Sequence, residues 1–217
     1  MPALNAAGMV APVIHEAKRH IDPVLVIDDG STDGTSAVAA AAGAEVLRHE
    51  VNRGKGAALK TGFAWALEQG FDGVITLDAD GQHLASDIPN FLAAAGTGGD
   101  DLIIGGRAHL FQQMLPRRRF ANRFSAWCIG RASGAPISDS QSGFRYYSAR
   151  LLRTTALHSD GFDLESEVIV LAGRRGLGIR TIPIGLGFVN GIATSHYRPL
   201  VDTLRIAWTV VRARLIS

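Results

Sequence analysis

Two carboxylates separated by one residue follow an apolar segment in the first half of the chain. Asp78 and Asp80 come directly after residues 74–77, which have the composition of a buried strand. Both side chains are therefore expected at the carboxyl end of a parallel strand, where open α/β sheets bind ligands. Paired carboxylate oxygens suit a hard divalent cation, which can neutralise a departing diphosphate. A solvated turn without a ligand is the alternative for such a pair.

A second acidic segment follows another apolar run, residues 24–27. Glycines in this segment permit positive φ and close approach to a ligand, and Asp33 or Thr32 can cap the next helix. Capping uses one acid and leaves Asp28 and Asp29 adjacent at the end of the predicted strand. We expect these two to repel each other unless a ribose, a base or a cation engages them.

Residues 52–56 read N-R-G-K-G and precede a predicted helix. Two glycines, two cations and a helix N-terminus are typical of a phosphate cradle. The spacing is neither that of a Walker P-loop nor that of a dinucleotide-binding G-x-G-x-x-G, which argues against P-loop kinases, GTPases and nicotinamide enzymes. A nucleophile elbow and a paired-histidine zinc motif are also missing from the sequence. Of the seven histidines, only His83 lies close to the acidic triplet.

Charge is distributed unevenly along the 217 residues. Residues 1–101 hold 6 basic and 14 acidic side chains, whereas residues 102–217 hold 16 arginines, no lysine and 6 acids. The first half therefore suits a cation, and the second suits bidentate capture of phosphate by arginine. Specific nucleic-acid binding is not expected, because no helix-turn-helix, zinc-finger or RNA-recognition signature accompanies the arginines.

The candidate site residues must be positioned by strands and helices that alternate along the chain. Short β-rich runs alternate with Ala-rich helical stretches, which predicts a mostly parallel α/β sheet with helices on both faces. Predicted strands cover residues 24–28, 45–48, 73–77, 102–104, 143–147 and 179–184, and predicted helices cover residues 36–42, 55–69, 86–95, 117–133 and 164–174. We expect one domain over residues 1–217, with the acidic half before residue 102 and the basic half after it.

The C-terminal residues carry an apolar stripe at spacings of 3, 4, 3 and 4, formed by Val201, Leu204, Trp208, Val211 and Leu215. Arginines lie off the stripe, so this is a predicted basic amphipathic helix that packs on the body or lies on an anionic membrane surface. With one cysteine, no leader before Pro2 and a mean hydropathy of +0.13, the expected location is the cytoplasm, at most peripheral to the membrane.

Six motifs occur in the order seen in family 2 glycosyltransferases, and the chain resembles the dolichol-phosphate mannose synthase branch of that family. They are P-A-L-N at 2–5, V-I-D-D-G-S-T-D-G-T at 26–35, N-R-G-K-G-A-A-L-K-T-G at 52–62, L-D-A-D-G-Q-H at 77–83, G-G-R at 105–107 and D-S-Q-S-G-F-R at 139–145. The resemblance covers nearly the whole chain, and six motifs in this order are far more specific than any single motif.

The resemblance implies a Rossmann-like GT-A fold and inverting transfer of a sugar from a nucleoside-diphosphate sugar to an acceptor. It also implies that residues 1–101 form the nucleotide-sugar and metal half of the domain and that residues 102–217, with the C-terminal amphipathic helix, form the acceptor half. Residues implied to bind the nucleotide sugar are Pro2, Leu4, Asn5, Asp28, Asp29, Lys55 and Asp78. Residues implied to hold Mg²⁺ or Mn²⁺ are Asp78, Asp80 and Gln82. Residues implied to face an acceptor, which in this branch is a lipid phosphate, are Arg107, Arg119 and Arg145.

Asp80 and Asp139 are the implied catalytic residues. A polyprenyl phosphate acceptor is already an oxyanion, so the arginines need only position it. A hydroxyl acceptor needs a general base, for which Asp139 is the candidate. Helix capping or an ion pair with a nearby arginine is the alternative role of Asp139. The identities of the donor base, the sugar and the acceptor stay open.

The sequence departs from the family pattern at its beginning. Ala6 stands where the family has glutamate, and the apolar strand that usually precedes the proline is absent, which would leave residues 24–28 without a neighbour. We therefore expect that the start lies upstream or that this form is weakly active, and that adding an upstream strand raises the melting temperature by several degrees. The alternatives are a nucleotide-sugar-binding pseudoenzyme and a sugar nucleotidyltransferase, whose Gly-rich N-terminal signature is missing.

Overall fold

The computed structural model describes residues 1–107, 116–185 and 187, without the side chains of residues 116–118 and 121. The predicted C-terminal amphipathic helix over residues 201–215 lies outside the described residues. Within them, no helix is both long and apolar enough to cross a membrane.

The elements alternate along the chain as predicted. Strands are β1 (Pro2–Ala3), β2 (Leu25–Asp28), β3 (Glu45–Arg48), β4 (Gly73–Thr76), β5 (Leu102–Gly106), β6 (Arg145–Ser148) and β7 (Ile179–Pro183). Helices are α1 (Val10–Lys18), α2 (Thr35–Ala41), α3 (Lys55–Glu68), α4 (Ile88–Gly96), α5 (Pro116–Ser133), α6 (Ala149–Thr154) and α7 (Leu164–Arg174), with a 3₁₀ turn at Ala85–Asp87.

The strands form two sheets. The first has the order β1-β2-β3 and is entirely parallel. The second has the order β4-β6-β5-β7, in which β5 and β7 are parallel and β6 is antiparallel to both of its neighbours. Because β4 and β5 both run opposite to β6, they share one direction, and their carboxyl ends lie at the same edge of the sheet.

The first strand is short rather than absent, which corrects the sequence-based expectation. Pro2 pairs with Ile27 and Ala3 with Asp28 in parallel. The Ile27 amide donates to the carbonyl of Met1 at 2.9 Å, and the Met1 amino group donates to the carbonyl of Leu25 at 2.8 Å. The carboxyl half of β2 therefore has a neighbour on this side.

Alternation along β5 shows how the core is divided. Ile103 packs in the cluster that contains Phe91 and Phe144, whose rings stack at 4.3 Å, whereas Leu102 and Ile104 pack in the cluster of α3 and α7. All three are fully buried. Since a strand covered on both faces needs apolar residues at consecutive positions, this accounts for the unbroken L-I-I run and confirms helices on both faces.

Candidate functional site

Lys55, at the start of α3, meets the first acid of the triplet. Its Nζ lies 2.8 Å from Asp78 Oδ1 and 3.3 Å from the Glu165 carboxylate on α7, and it sits 5.6 Å from the Phe162 ring centroid. Burial opposes ionisation of Asp78, but the attraction to Lys55 and Arg107 and the hydrogen bond with Lys55 together hold the Asp78 pKa below its usual range. Burial likewise opposes the charge on Lys55, and the two carboxylates nevertheless raise the pKa of Lys55. The Lys55–Asp78 pair is therefore charged at neutral pH.

The pKa of Asp80 is shifted in the opposite direction to that of Asp78. Burial, reinforced by the negative charge of Asp78, raises the pKa of Asp80. Its Oδ1 accepts a hydrogen bond from the Gln82 amide at 3.0 Å. A carboxylate that is partly desolvated beside another carboxylate gains most from an added positive charge.

His83 closes this part of the site. Its side chain is 6% exposed and its ring lies 5.9 Å from that of Phe144. Burial lowers the pKa of His83 to about 4, so the imidazole is neutral at pH 7. Within the described part of the chain, its Nδ1 has no hydrogen-bond partner.

The loop of the D-S-Q-S-G-F-R motif packs directly on the acidic triplet. Thr76 Oγ1 donates to the carbonyl of Gly143 at 2.8 Å, and Thr76 pairs with Arg145 across the β4–β6 ladder. A Cβ on Gly143 would lie 2.8 Å from Asp78 Cγ and nearer still to Oδ2. Position 143 therefore has room for glycine only while the Asp78 carboxylate keeps its place.

Asp139 does not have the geometry of a general base. It is fully buried, and Arg107 donates two hydrogen bonds to its carboxylate, from Nε at 2.8 Å and from Nη2 at 3.2 Å. The amides of Arg107 and Gln141 also donate to this carboxylate. Burial opposes ionisation, but Arg107 holds the Asp139 pKa below its usual range. The structure thus corrects the expectation of a catalytic base and shows the alternative, an ion pair with a nearby arginine.

Arg145 is also placed differently from the expectation. It is fully buried, and its guanidinium donates to the carbonyls of Ser142 at 2.7 Å, Glu165 at 2.6 Å and Ser140 at 2.8 Å. Its role is to hold the 140–142 loop against α7 rather than to bind an acceptor phosphate. Arg119, by contrast, is exposed on α5.

Asp28 accepts its hydrogen bonds from other residues of the protein. It is 1% exposed and accepts hydrogen bonds from the Ser31 amide at 2.8 Å and from Ser36 Oγ. Burial opposes ionisation, yet these bonds and the charge of Arg48 hold the Asp28 pKa below its usual range. The expected repulsion between the neighbouring acids is therefore relieved without a ligand.

Asp29 organises the segment that the sequence suggested as a phosphate cradle. It accepts from the amides of Arg53 at 2.9 Å and Gly54 at 2.8 Å and lies 2.7 Å from His49 Nδ1. The Ala57 amide donates to the carbonyl of Asp160 at 3.1 Å. Three amides that a phosphate would need are thus engaged by the protein, which corrects the cradle interpretation and leaves Lys55 as the segment's contribution to the site.

The N-terminal motif lies beside the loop that follows β2. Pro2 belongs to β1 and Leu4 follows it, while Asn5 adopts a positive φ of 50°. The Asn5 amide donates to Ser31 Oγ at 2.9 Å, and its side-chain oxygen accepts from the Thr32 amide at 2.9 Å. The predicted nucleotide-side residues of the two motifs are therefore brought together at one sheet edge.

One buried acid in the site was missed by the sequence analysis. Glu165 is 6% exposed and lies in α7 within the run L-E-S-E-V-I-V-L-A. The available signal was the presence of carboxylates in an otherwise apolar helix, since such acids are rarely buried unless they are paired. Here the partner is Lys55, which links α7 to the acidic triplet.

Comparisons with known proteins identify relatives of this chain. The family model described as Glycosyl transferase family 2 matches residues 1–160. A UDP-N-acetylglucosamine--dolichyl-phosphate N-acetylglucosaminyltransferase of Methanococcus voltae is 28% identical over 85% of this chain and 82% of its own. The undecaprenyl-phosphate mannosyltransferase of Micrococcus luteus is 34% identical over 74% of this chain and 70% of its own.

A solved structure shows the same fold. Glucosyl-3-phosphoglycerate synthase from Mycobacterium tuberculosis, in complex with Mn²⁺, uridine diphosphate and phosphoglyceric acid, superposes with a TM-score of 0.72 at 24% identity. The match covers 100% of this chain and 77% of that one. The fold is therefore GT-A, as expected, and the names of the relatives support the dolichol-phosphate branch. The chain belongs to glycosyl transferase family 2.

Proposed function

We propose that this protein is a metal-dependent, inverting glycosyltransferase that moves a sugar from a nucleoside-diphosphate sugar to a polyprenyl phosphate. The observation that carries the proposal is the Asp78–Asp80 pair at the carboxyl end of β4, with Lys55 beside it. Relatives named for UDP-N-acetylglucosamine and for dolichyl and undecaprenyl phosphate support both substrate classes.

Mg²⁺ or Mn²⁺ fits the side chains that are present. Asp78 and Asp80 supply hard oxygen donors, and burial together with Asp78 raises the pKa of Asp80, which a cation would reverse. Gln82 is the proposed third ligand. No three His, Cys, Asp or Glu side chains converge on one point among the described residues, so donor phosphate and water would complete the coordination. When bound, the ion would neutralise charge on the departing diphosphate.

Neighbouring side chains hold Asp78 ionised and in a fixed position. Lys55 holds Asp78 ionised and fixes one of its oxygens at 2.8 Å, and Glu165 in turn fixes Lys55. Neutral His83 brings no further positive charge to the carboxylates. Arg107 also acts on Asp78 and helps to lower its pKa. Lys55 and Asp78 are thus charged and fixed in position before the donor arrives, so little reorganisation is needed at the moment of transfer.

The state of Asp139 favours a phosphate acceptor over a hydroxyl acceptor. A hydroxyl group must lose a proton during transfer, and the proposed base for that step is locked in the Arg107 ion pair. A lipid phosphate is ionised at neutral pH and can attack without a base. Asp139 then acts by orienting Arg107, whose side chain is 13% exposed and borders the site.

An aromatic ladder on α5 fits contact with the membrane that carries such an acceptor. Phe120, Phe124 and Trp127 are 72%, 52% and 63% exposed, and successive rings lie 6.2 and 6.1 Å apart. Arg119 and Arg123 are exposed on the same helix. Aromatic side chains beside arginines are the composition of surfaces that lie in the headgroup region of anionic lipid.

Donor binding can be tested by the thermal stability of the intact chain with UDP- or GDP-linked sugars and Mn²⁺ or Mg²⁺. A ligand that binds only the folded state raises stability by RT ln(1 + [L]/Kd). We expect a metal-dependent rise for one nucleotide, kept in the matched variant Asp72→Asn on the exposed surface and lost in Asp80→Asn. A shift that is independent of metal would contradict the metal assignment, and no shift for any nucleotide would contradict the donor assignment.

Acceptor class and membrane contact need separate tests. Transfer of radiolabelled sugar to undecaprenyl phosphate in detergent is expected, whereas hydrolysis alone would contradict the acceptor assignment. Vesicles of phosphatidylcholine with phosphatidylglycerol should co-sediment with the chain, and Phe124→Ser together with Trp127→Ser should weaken this without changing the melting temperature. Equal sedimentation of the double variant would contradict the role of the ladder.

A further inference from the structure

One side chain of the protein already occupies a position on Asp78 that a cation would take. Lys55 Nζ lies 2.8 Å from Asp78 Oδ1, a distance typical of a charge-assisted hydrogen bond. The second oxygen, Oδ2, lies against Gly143, where an added Cβ would overlap it. Among the described residues no ion pair reaches Asp80, whose Oδ1 accepts from the Gln82 amide. In the free chain a metal ion therefore has access to one carboxylate, whereas the other is already paired.

Glu165 binds the same ammonium group more loosely from α7. Both of its carboxylate oxygens lie 3.3 Å from Lys55 Nζ, compared with 2.8 Å for Asp78 Oδ1. The backbone of Glu165 is fixed, because its carbonyl accepts from Arg145 Nη1 at 2.6 Å. A lysine ammonium has three donors and sits on a flexible four-carbon stem. Lys55 can therefore exchange its contact with Asp78 for another anion while Glu165 keeps it in the site.

Electrostatics determine which ligand can release Asp78. A divalent cation alone is repelled by the Lys55 ammonium, since like charges a few ångströms apart in a partly buried site interact strongly. Such an ion also offers Lys55 no new partner. The oxygens of a diphosphate accept hydrogen bonds from lysine and offset the charge of the ion. Asp78 thus becomes available to a metal ion only when an anion draws Lys55 away.

We propose that Lys55 is an internal counter-cation that blocks Asp78 until a nucleoside diphosphate binds the ammonium group, so that metal ion and nucleotide bind cooperatively. The inference rests on the metal and donor assignments of the proposed function and adds the coupling between the two ligands. Glu165 is the residue that retains Lys55 during the exchange. The exchange takes place when the donor binds and is complete before the sugar is transferred.

Lys55→Gln tests the proposal, because it removes the charge and keeps a hydrogen-bond donor for Asp78. We expect Mn²⁺ alone to bind at least about tenfold more tightly to Lys55→Gln than to the parent chain, because the repulsion is gone. UDP or GDP without metal, titrated in EDTA, should bind at least about tenfold more weakly, because the partner of the phosphates is gone. A lysine that merely held the loop in place would weaken the binding of both ligands when removed.

Lys60 offers a matched control on the same helix. Its side chain is 30% exposed and pairs with Asp160 at 2.6 Å rather than with the acidic triplet. Isothermal titration of the intact Lys60→Gln chain should give affinities for both ligands within about twofold of the parent, since exposed charges are screened. Lys55→Arg keeps the positive charge and should bind Mn²⁺ alone no more tightly than the parent. Each variant is first shown to be folded by its melting curve.

A measurement on the unchanged chain does not depend on the folding of any Lys55 variant. The chain has three lysines, Lys18, Lys55 and Lys60, so labelling lysine with ¹³C at Cε gives three NMR signals. Lys18→Arg and Lys60→Arg assign two of them and leave the third to Lys55. Lys18 and Lys60 pair with Asp22 and Asp160 and serve as internal controls. We expect the Lys55 signal to shift when UDP or GDP is added with Mg²⁺, and not to shift with Mg²⁺ alone.

The possible failures are distinguishable. Equal affinity of the parent and Lys55→Gln for Mn²⁺ alone would overturn the proposal and leave the metal assignment intact. So would a Lys55 signal that shifts with Mg²⁺ alone, or one that shifts with neither addition. Binding of Mn²⁺ to neither chain, with or without nucleotide, would overturn the metal assignment together with this inference. These measurements report ligand binding and do not depend on sugar transfer.

Discussion

Replacing Gly143 with alanine is expected to damage the site while sparing the fold. The added Cβ would lie 2.8 Å from Asp78 Cγ and Oδ1, whereas ordinary contacts begin near 3.4 Å. Gly143 sits in backbone that the Thr76 hydrogen bond holds at 2.8 Å, and the short Asp78 side chain is tied to Lys55. The carboxylate must therefore shift by roughly 1 Å, a displacement that typically costs about 10²-fold in rate.

A matched glycine exists elsewhere in the chain. At Gly96, at the end of α4, an added Cβ would have no atom within 4 Å and the backbone has no positive φ, so Gly96→Ala adds the same methyl group without a clash. The assay compares the rate of transfer from the donor sugar, and the metal-dependent rise in melting temperature, in both variants. Rates for Gly143→Ala and Gly96→Ala that agree within about twofold would refute the packing argument.

Three further predictions follow from the buried charges. Arg107→Met leaves Asp139 buried without its ion partner and should lower the free energy of unfolding by about 3–5 kcal/mol in urea titrations; strict additivity with Asp139→Leu in a double-mutant cycle would contradict the pairing. Asp80→Asn removes a carboxylate whose pKa is raised by burial, so its melting temperature at pH 7 should equal or exceed that of the parent. A clearly lower melting temperature for Asp80→Asn would contradict the conclusion that burial raises the pKa of Asp80. Between pH 8 and 5 the unfolded Met1 amine takes up a proton that the folded one, with a pKa of about 5, does not, so stability should fall by up to about 4 kcal/mol; an N-acetylated chain should lack this part of the slope.

Hydrophobic periodicity was sufficient to predict most of the fold. The alternation of apolar runs with Ala-rich segments predicted most of the strands and helices, and it also predicted a sheet with helices on both faces. The direction of β6 was not accessible, because an antiparallel strand in this position depends on contacts with β4 and β5 rather than on its own four residues. α1 was not predicted; Pro12 lies in its first turn, where proline is tolerated.

The site was predictable in its location but not in the roles of its charged residues. Motif spacing brought Asp78 and Asp80 to the carboxyl end of β4, as expected. The roles of Asp139 and Arg145 depend on partners supplied by other elements, namely the Arg107 guanidinium and the carbonyls of two separate segments. A sequence identifies which side chains carry charge, whereas burial and the choice of partner are set by tertiary packing.

The two acidic pairs of the chain differ in how the protein satisfies them, and this difference supports the proposed position of the cation at Asp80. Asp28 and Asp29 receive amide and side-chain hydrogen bonds, and the pKa of Asp28 is lowered, so that pair is complete within the protein. In the second pair, Lys55 compensates Asp78, but the pKa of Asp80 is raised by burial and by its neighbour. Positive charge is therefore still favourable at Asp80 after the protein's own donors are assigned. A divalent ion carried with a diphosphate is therefore the ligand that we propose for Asp80.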